Sequence, residues 1–246
     1  KDTTELAFTI PSVEYQPRLE EMIVRLIPIW QEQQIRVRGK LHLETKLTWY
    51  PHNDIPIIEM AMQLRQGELR HPRLPVPLKG IQTEITYQPD VLHIRGLAAQ
   101  AERGTVTGHG RIDLASDIRQ LEQHRAGLHL EFENLHLHKG VLPSLPPVLR
   151  KFCEDMQLQG LLNGSMDVSY VDQKLGLAYT LKPHQVSFEA DDFPYPANNV
   201  LGMLQYREDR EQPVLYVDLR GLFGTRPFQM KGHLYGAGLR PDNQLK

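Results

Sequence analysis

His136 and His138 are two residues apart, a spacing that turns both imidazoles to one side of a strand. His129, Glu131 and Glu133 lie just upstream. A bulge between the two groups would let them share a face with donor types that suit zinc. The plainer reading is a solvated outer face, and no metal or cofactor is expected. Gly104, Gly108 and Gly110 raise the question of a phosphate loop. No Gly-Lys-Ser/Thr follows, and the segment reads strand to strand, so bulges or sheet curvature are the expected role. His109 and His233 recur in similar glycine-containing surroundings and read as turn residues. Cys153 is the single cysteine. It has no activating neighbour and is expected to be packed. Asp191-Asp192 reads as a solvated turn. There is no Gly-x-Ser-x-Gly, His-Glu-x-x-His or P-loop, so the chain is not expected to be an enzyme.

The elements that carry these residues are mostly strands. From Ile35 to Trp49 the odd positions are apolar, apart from Gly39 and Thr45, and the even positions are mostly charged. Such alternation puts each set on its own face of a strand spanning roughly 50 Å. Leu128, Leu130 and Phe132 alternate with His129, Glu131 and Glu133, and the apolar set slips after Asn134 as at a bulge. Met166–Tyr170 and Leu175–Leu181 form a pair around a turn at Asp172-Gln173. Further strands are predicted over 56–65, 80–88, 91–99, 105–114, 185–189, 200–206, 214–223 and 227–235. Two amphipathic helices are predicted. The first covers about 17–33 with Ile23, Leu26, Ile27 and Trp30 on one stripe, although Pro28 should kink it. The second covers about 146–157 with Val148, Leu149, Phe152 and Met156 on a stripe and Ser144 as N-cap.

The order of elements repeats. Ile23, Leu26, Ile27 and Trp30 match Leu145, Val148, Leu149 and Phe152 at one offset of 122. Pro75-Val76-Pro77, Ile81, Ile85 and Tyr87 match Pro194-Tyr195-Pro196, Val200, Leu204 and Tyr206 at 119. Arg95-Gly96-Leu97 is matched to Arg220-Gly221-Leu222, and Gly108-His109 to Gly232-His233. Two tandem repeats follow, about 5–125 and 126–237, with a polar tail over 238–246. The predicted fold is mainly β: a long, strongly curved antiparallel sheet forming a trough or half-barrel, with two short helices.

Net charge is −2 and no basic stripe occurs, which argues against a nucleic-acid partner. No apolar run approaches the ~18 to 20 residues of a membrane helix. The chain opens at Lys1-Asp2-Thr3-Thr4, without Met or an apolar leader, and reads as part of a longer or processed protein.

The helix with its Leu/Pro lead, strands opening at Gly39 or Gly164, and a Pro-x-Pro entry into a strand form one grammar. The strands "VLHIRGL" and "VLYVDLRGL" then lead to "GTVTGHGRIDL" and "GTRPFQMKGHLYG". This pattern resembles the AsmA-like and TamB-like envelope proteins along nearly the whole chain. The resemblance implies an apolar β-groove that carries phospholipid between membranes, a periplasmic location, an inner-membrane anchor outside this chain, a role in outer-membrane biogenesis, and further repeats at either end. It offers no catalytic residues. The expected groove lining is Val37, Leu41, Leu43, Leu47, Trp49, Phe188, Leu204, Tyr206 and Phe228. The alternative is a closed-core structural or protein-interaction module with no lipid ligand.

Overall fold

The computed structural model describes residues 3–14, 36–51, 56–70, 76–114, 125–171, 174–189, 196–208 and 212–235. The first predicted helix, Asp191-Asp192, the turn at Asp172-Gln173 and the polar tail lie outside these residues. The described chain is mainly β. The strands are β1 (Thr4–Glu14), β2 (Arg36–Trp49), β3 (Ile57–Arg70), β4 (Leu78–Gln88), β5 (Val91–Ala101) and β6 (Gly104–Asp113), followed by β7 (Arg125–Leu137). A 3-10 turn (Leu142–Ser144) and helix α1 (Pro147–Asp155) precede β8 (Gln159–Val171), β9 (Lys174–Phe188), β10 (Ala197–Glu208), β11 (Pro213–Phe223) and β12 (Arg226–Tyr235). All twelve strands form one antiparallel sheet in chain order, so each neighbour in sequence is a neighbour in space.

Tight turns set the register of several hairpins. Gln88 pairs with Val91 across Pro89-Asp90, where Asp90 takes φ 67°. Ala101 pairs with Gly104, and Phe223 with Arg226, and each turn places a left-handed residue first: Glu102 and Gly224. The predicted bulge in β7 is present. The register slips between Phe132 and Leu135, and Asn134 sits at φ 54°.

Irregularities recur at fixed separations. The β1–β2 register slips between Ile10 and Val13, and the β7–β8 register slips 122 residues later between Phe132 and Leu135. The β4–β5 register slips after Lys79, and the β10–β11 register after Asn198, 119 residues on. Gly80 and Asn199, the left-handed residues at those two bulges, share that separation. Met60 faces Tyr87 as Tyr179 faces Tyr206.

The cross-strand register offsets some of the matched residues from one another. Gly232 faces Val217 as Gly110, not Gly108, faces Ile94. Ala98, not Arg95, holds the rung that Arg220 holds, because β5 carries an extra residue at Gly96 (φ 57°). Gly39 and Gly164 do not open strands but lie within β2 and β8. Residues 185–188 are the end of β9, not a separate strand. Gly104 lies in regular pairing, whereas Gly108 and Gly110 flank a bulge whose extra residue is on β5, because the β5–β6 register slips between the Ile94–Gly110 and Leu97–Gly108 pairs. Strand β6 pairs with β7 without a register shift, and a Cβ at Gly108 would lie 2.6 Å from both the His129 carbonyl and Leu130 Cδ2. These glycines make room for β7.

Helix α1 buries Val148, Leu149, Phe152 and Cys153, a stripe at helical spacing. Pro146 is its N-cap, and Ser144 instead ends the 3-10 turn, with no side-chain cap. The Leu158 amide donates to the Cys153 carbonyl at 2.9 Å, and the Glu189 amide donates to the Met156 carbonyl at 3.1 Å. These bonds moor the helix over one end of the sheet, where Leu78, Ala101, Leu137, Leu162, Phe188 and Ala197 are buried.

Candidate functional site

Cross-strand register decides which side chains share a face. One row runs Ile10, Leu43, Met62, Ile85, Ile94, Gly110, Leu128, Val168, Leu177 across β1 to β9. A second runs Leu130, Met166, Tyr179, Tyr206, Leu215, Leu234 across β7 to β12. One apolar face therefore crosses all twelve strands. The opposite face is polar: Lys46 pairs with Glu59, His93 with Arg111, and His109 with His129, which in turn pairs with Asp167.

Cover over the apolar face is uneven. Under α1 it is packed by protein. Across β4 to β8, away from the helix, Leu92, Ile112, Leu128 and Val168 are only half-buried. On β1, Leu6 is 53% exposed and Phe8 44%. Between α1's lead-in residues (Val141, Leu145) and the middle strands lies a cavity of about 40 Å³ with an apolar lining that includes Leu130, Met166 and Leu181.

The expected lining residues divide along this boundary. Leu41, Leu43, Leu47 and Trp49 are half-buried on the open side, and Phe228 is half-buried on β12. Val37 pairs with Leu69, but its side chain is outside the described residues. Phe188, Leu204 and Tyr206 are each 2% exposed and packed by protein. Phe188 meets Phe223 and Phe228 edge-on. Burial, with Glu208 adding to it, pushes the Tyr206 phenol up to about 12, so it stays neutral. Only the half-buried set keeps side-chain surface exposed, and the sequence pattern could not separate it from the buried one.

The histidines do not gather as the sequence allowed. His129 stays with Glu131 on the polar face; its Nδ1 lies 2.6 Å from Asp167 Oδ1. His136 and His138 instead meet Glu102, from the β5–β6 turn, with ligand-type atoms within 4.8 Å of one another. Sequence spacing gives no signal for a partner so far upstream. The Gly140 amide donates to His138 Nδ1 at 3.1 Å, which leaves the ring proton on Nε2, facing Glu102 at 3.1 Å. A cation at Nε2 would have to displace that proton and break the Gly140 bond, so the group functions as a clasp between turns. His109 and His233 lie within strands, not turns; His233 sits 5.1 Å, ring to ring, from Tyr216.

Cys153 is fully buried, and desolvation, then Glu154, pushes its thiol up to about 12, so it is not a nucleophile. No described helix is long and apolar enough to cross a membrane. No family model matches this chain, and neither the curated proteins nor the solved structures show a match to it.

Proposed function

We propose that this chain is an AsmA-like module of a cell-envelope protein that shields or conducts phospholipid acyl chains along its apolar face. The observation that carries the reading is the single apolar face crossing all twelve strands, part of it only half-buried among the described residues. Exposing acyl methylenes to water costs about 0.8 kcal/mol each. A sheet with one continuous apolar face and one charged face can hold them while staying soluble. No directional polar chemistry is needed.

Two tandem modules, 5–125 and 126–237, form the architecture in this reading. What supports them is the recurrence of bulges and left-handed residues at separations of 119 and 122. Bulges bend strands and raise local twist, which is how the sheet would curl into a trough. The module would act in the periplasm, held to a membrane by a segment outside this chain and joined to further repeats, and would support outer-membrane biogenesis. The packed end under α1 favours a second reading, a closed-core interaction module without lipid.

Native mass spectrometry of the purified chain separates the two. The first reading expects co-purified phospholipid, and expects Leu128→Asp, on the half-buried stretch, to weaken uptake of a fluorescent fatty acid. A lipid-free chain that takes up no probe would leave the closed-core module.

A further inference from the structure

Strands β1 and β12 are the two edges of the sheet, and among the described residues no strand pairs with their outer sides. An unpaired edge with apolar side chains is a template for another strand. The sheet also contains, at its centre, a worked example of the missing contact. Strand β6 occupies the place in the first half that β12 occupies in the second, and β7 corresponds to β1. The β6–β7 junction is therefore the pattern for joining β12 of one molecule to β1 of the next.

We infer that β12 of one copy of this chain pairs antiparallel with β1 of a second copy, in the register of β6 on β7. Transferring that register puts Phe228 opposite Ile10, Met230 opposite Phe8, Gly232 opposite Leu6 and His233 opposite Glu5.

The side chains suit this register. Leu6, Phe8 and Ile10 are 53%, 44% and 37% exposed, and all lie on the apolar face, opposite Leu47, Thr45 and Leu43. Their counterparts Leu128, Leu130 and Phe132 are half-buried or buried against β6. In the internal junction a Cβ at Gly110 would meet Leu128 Cδ1 at 3.1 Å. At Gly232, its counterpart, nothing lies within 4 Å, which leaves the space that Leu6 would fill. On the polar face Glu5 meets His233, with Lys231 one rung away. Pro11 falls opposite Pro227, and with no N–H on either the ladder ends there. Head-to-tail pairing of this kind does not close on itself in a dimer and gives a concentration-dependent series.

The proposal rests on the two-module reading but not on a lipid ligand, and mixed cysteine cross-linking tests it separately. Glu5→Cys and His233→Cys are made as single variants of the full chain and oxidised alone and mixed. The expected result is disulfide-linked dimer in the mixture, little in either variant alone, and loss of the wild-type concentration-dependent mass series in Phe8→Lys. Cross-linking of Glu5→Cys alone as readily as in the mixture would mean β1 pairs with itself and would overturn the register. A wild-type chain that stays monomeric, with no cross-link in the mixture, would overturn the pairing altogether. Fatty-acid uptake by the wild-type chain is scored apart. Uptake by a monomeric chain sinks only the pairing; a head-to-tail series without uptake sinks only the lipid reading.

Discussion

At the end of the sheet capped by α1, Leu149, Leu162 and Val200 have at most 2% of their surface exposed, whereas Leu6 and Phe8 on β1 have about half. Both regions use the same alternation of apolar and polar residues, so strand pattern does not distinguish them. What differs is the element laid over the apolar face. Helix α1 contributes Val148, Leu149, Phe152 and Cys153 and converts one end into a core. Over the half-buried stretch of β4–β8 no described element does the same. An apolar strand face thus has no fixed role: a covering helix makes it a core, and without one among the described residues it stays partly exposed.

The sharpest way to break this contrast is to truncate leucines on both sides of it. Leu149→Ala leaves a cavity under a moored helix and is expected to cost about 2–5 kcal/mol in urea unfolding. Leu47→Ala, on the half-buried side, should cost well under half of that. Cys153 supplies a second readout. Its thiol is buried and pushed up to about 12, so a thiol reagent should react only when α1 lifts. Leu149→Ala should accelerate that reaction and Leu47→Ala should not. Equal costs for the two truncations would mean that the open side is packed after all.

Glycines give the next largest effect. Gly108→Ala must push back the His129 carbonyl and Leu130, and overpacking of this kind costs about 1–3 kcal/mol. Gly232→Ala meets nothing within 4 Å. Its unfolding free energy in dilute solution should be unchanged within about 0.5 kcal/mol. If β12 pairs with a second copy, the same substitution should weaken self-association.

The strands were legible because one-sided burial writes itself into sequence as a period of two. The 36–49 strand, the Asn134 bulge and the α1 stripe of Val148, Leu149 and Phe152 all follow from side-chain spacing alone. The lining was only partly legible. Leu47 and Leu204 have the same sequence signature, yet one is half-buried and the other is 2% exposed, because cover comes from elements far away in the chain. Glu102 beside His138 was illegible for the same reason. The extra residue at Gly96 in β5 was also invisible in the sequence, because this bulge leaves no mark on residue spacing until the partner strands are aligned.

The smallest effect is on the polar face and serves as the control for the apolar one. His129 is held in its protonated form chiefly by Asp167, and then by Glu131, so its pKa in the folded chain lies above the ordinary histidine value. A raised folded value means stabilisation fully present below about pH 6.5, the unfolded value, and lost as pH rises through the folded one. His129→Gln should therefore destabilise the chain at about pH 5.5 and leave it unchanged near pH 9. Because the pair is exposed to solvent, the difference should stay below about 1 kcal/mol and shrink with added salt. His42, also raised by the Pro11 carbonyl and then Glu44, is present in both proteins and cancels. Lipid uptake should not follow this titration, because His129 projects from the face opposite Leu128 and Leu130; uptake that did follow it would place the ligand on the charged side of the sheet.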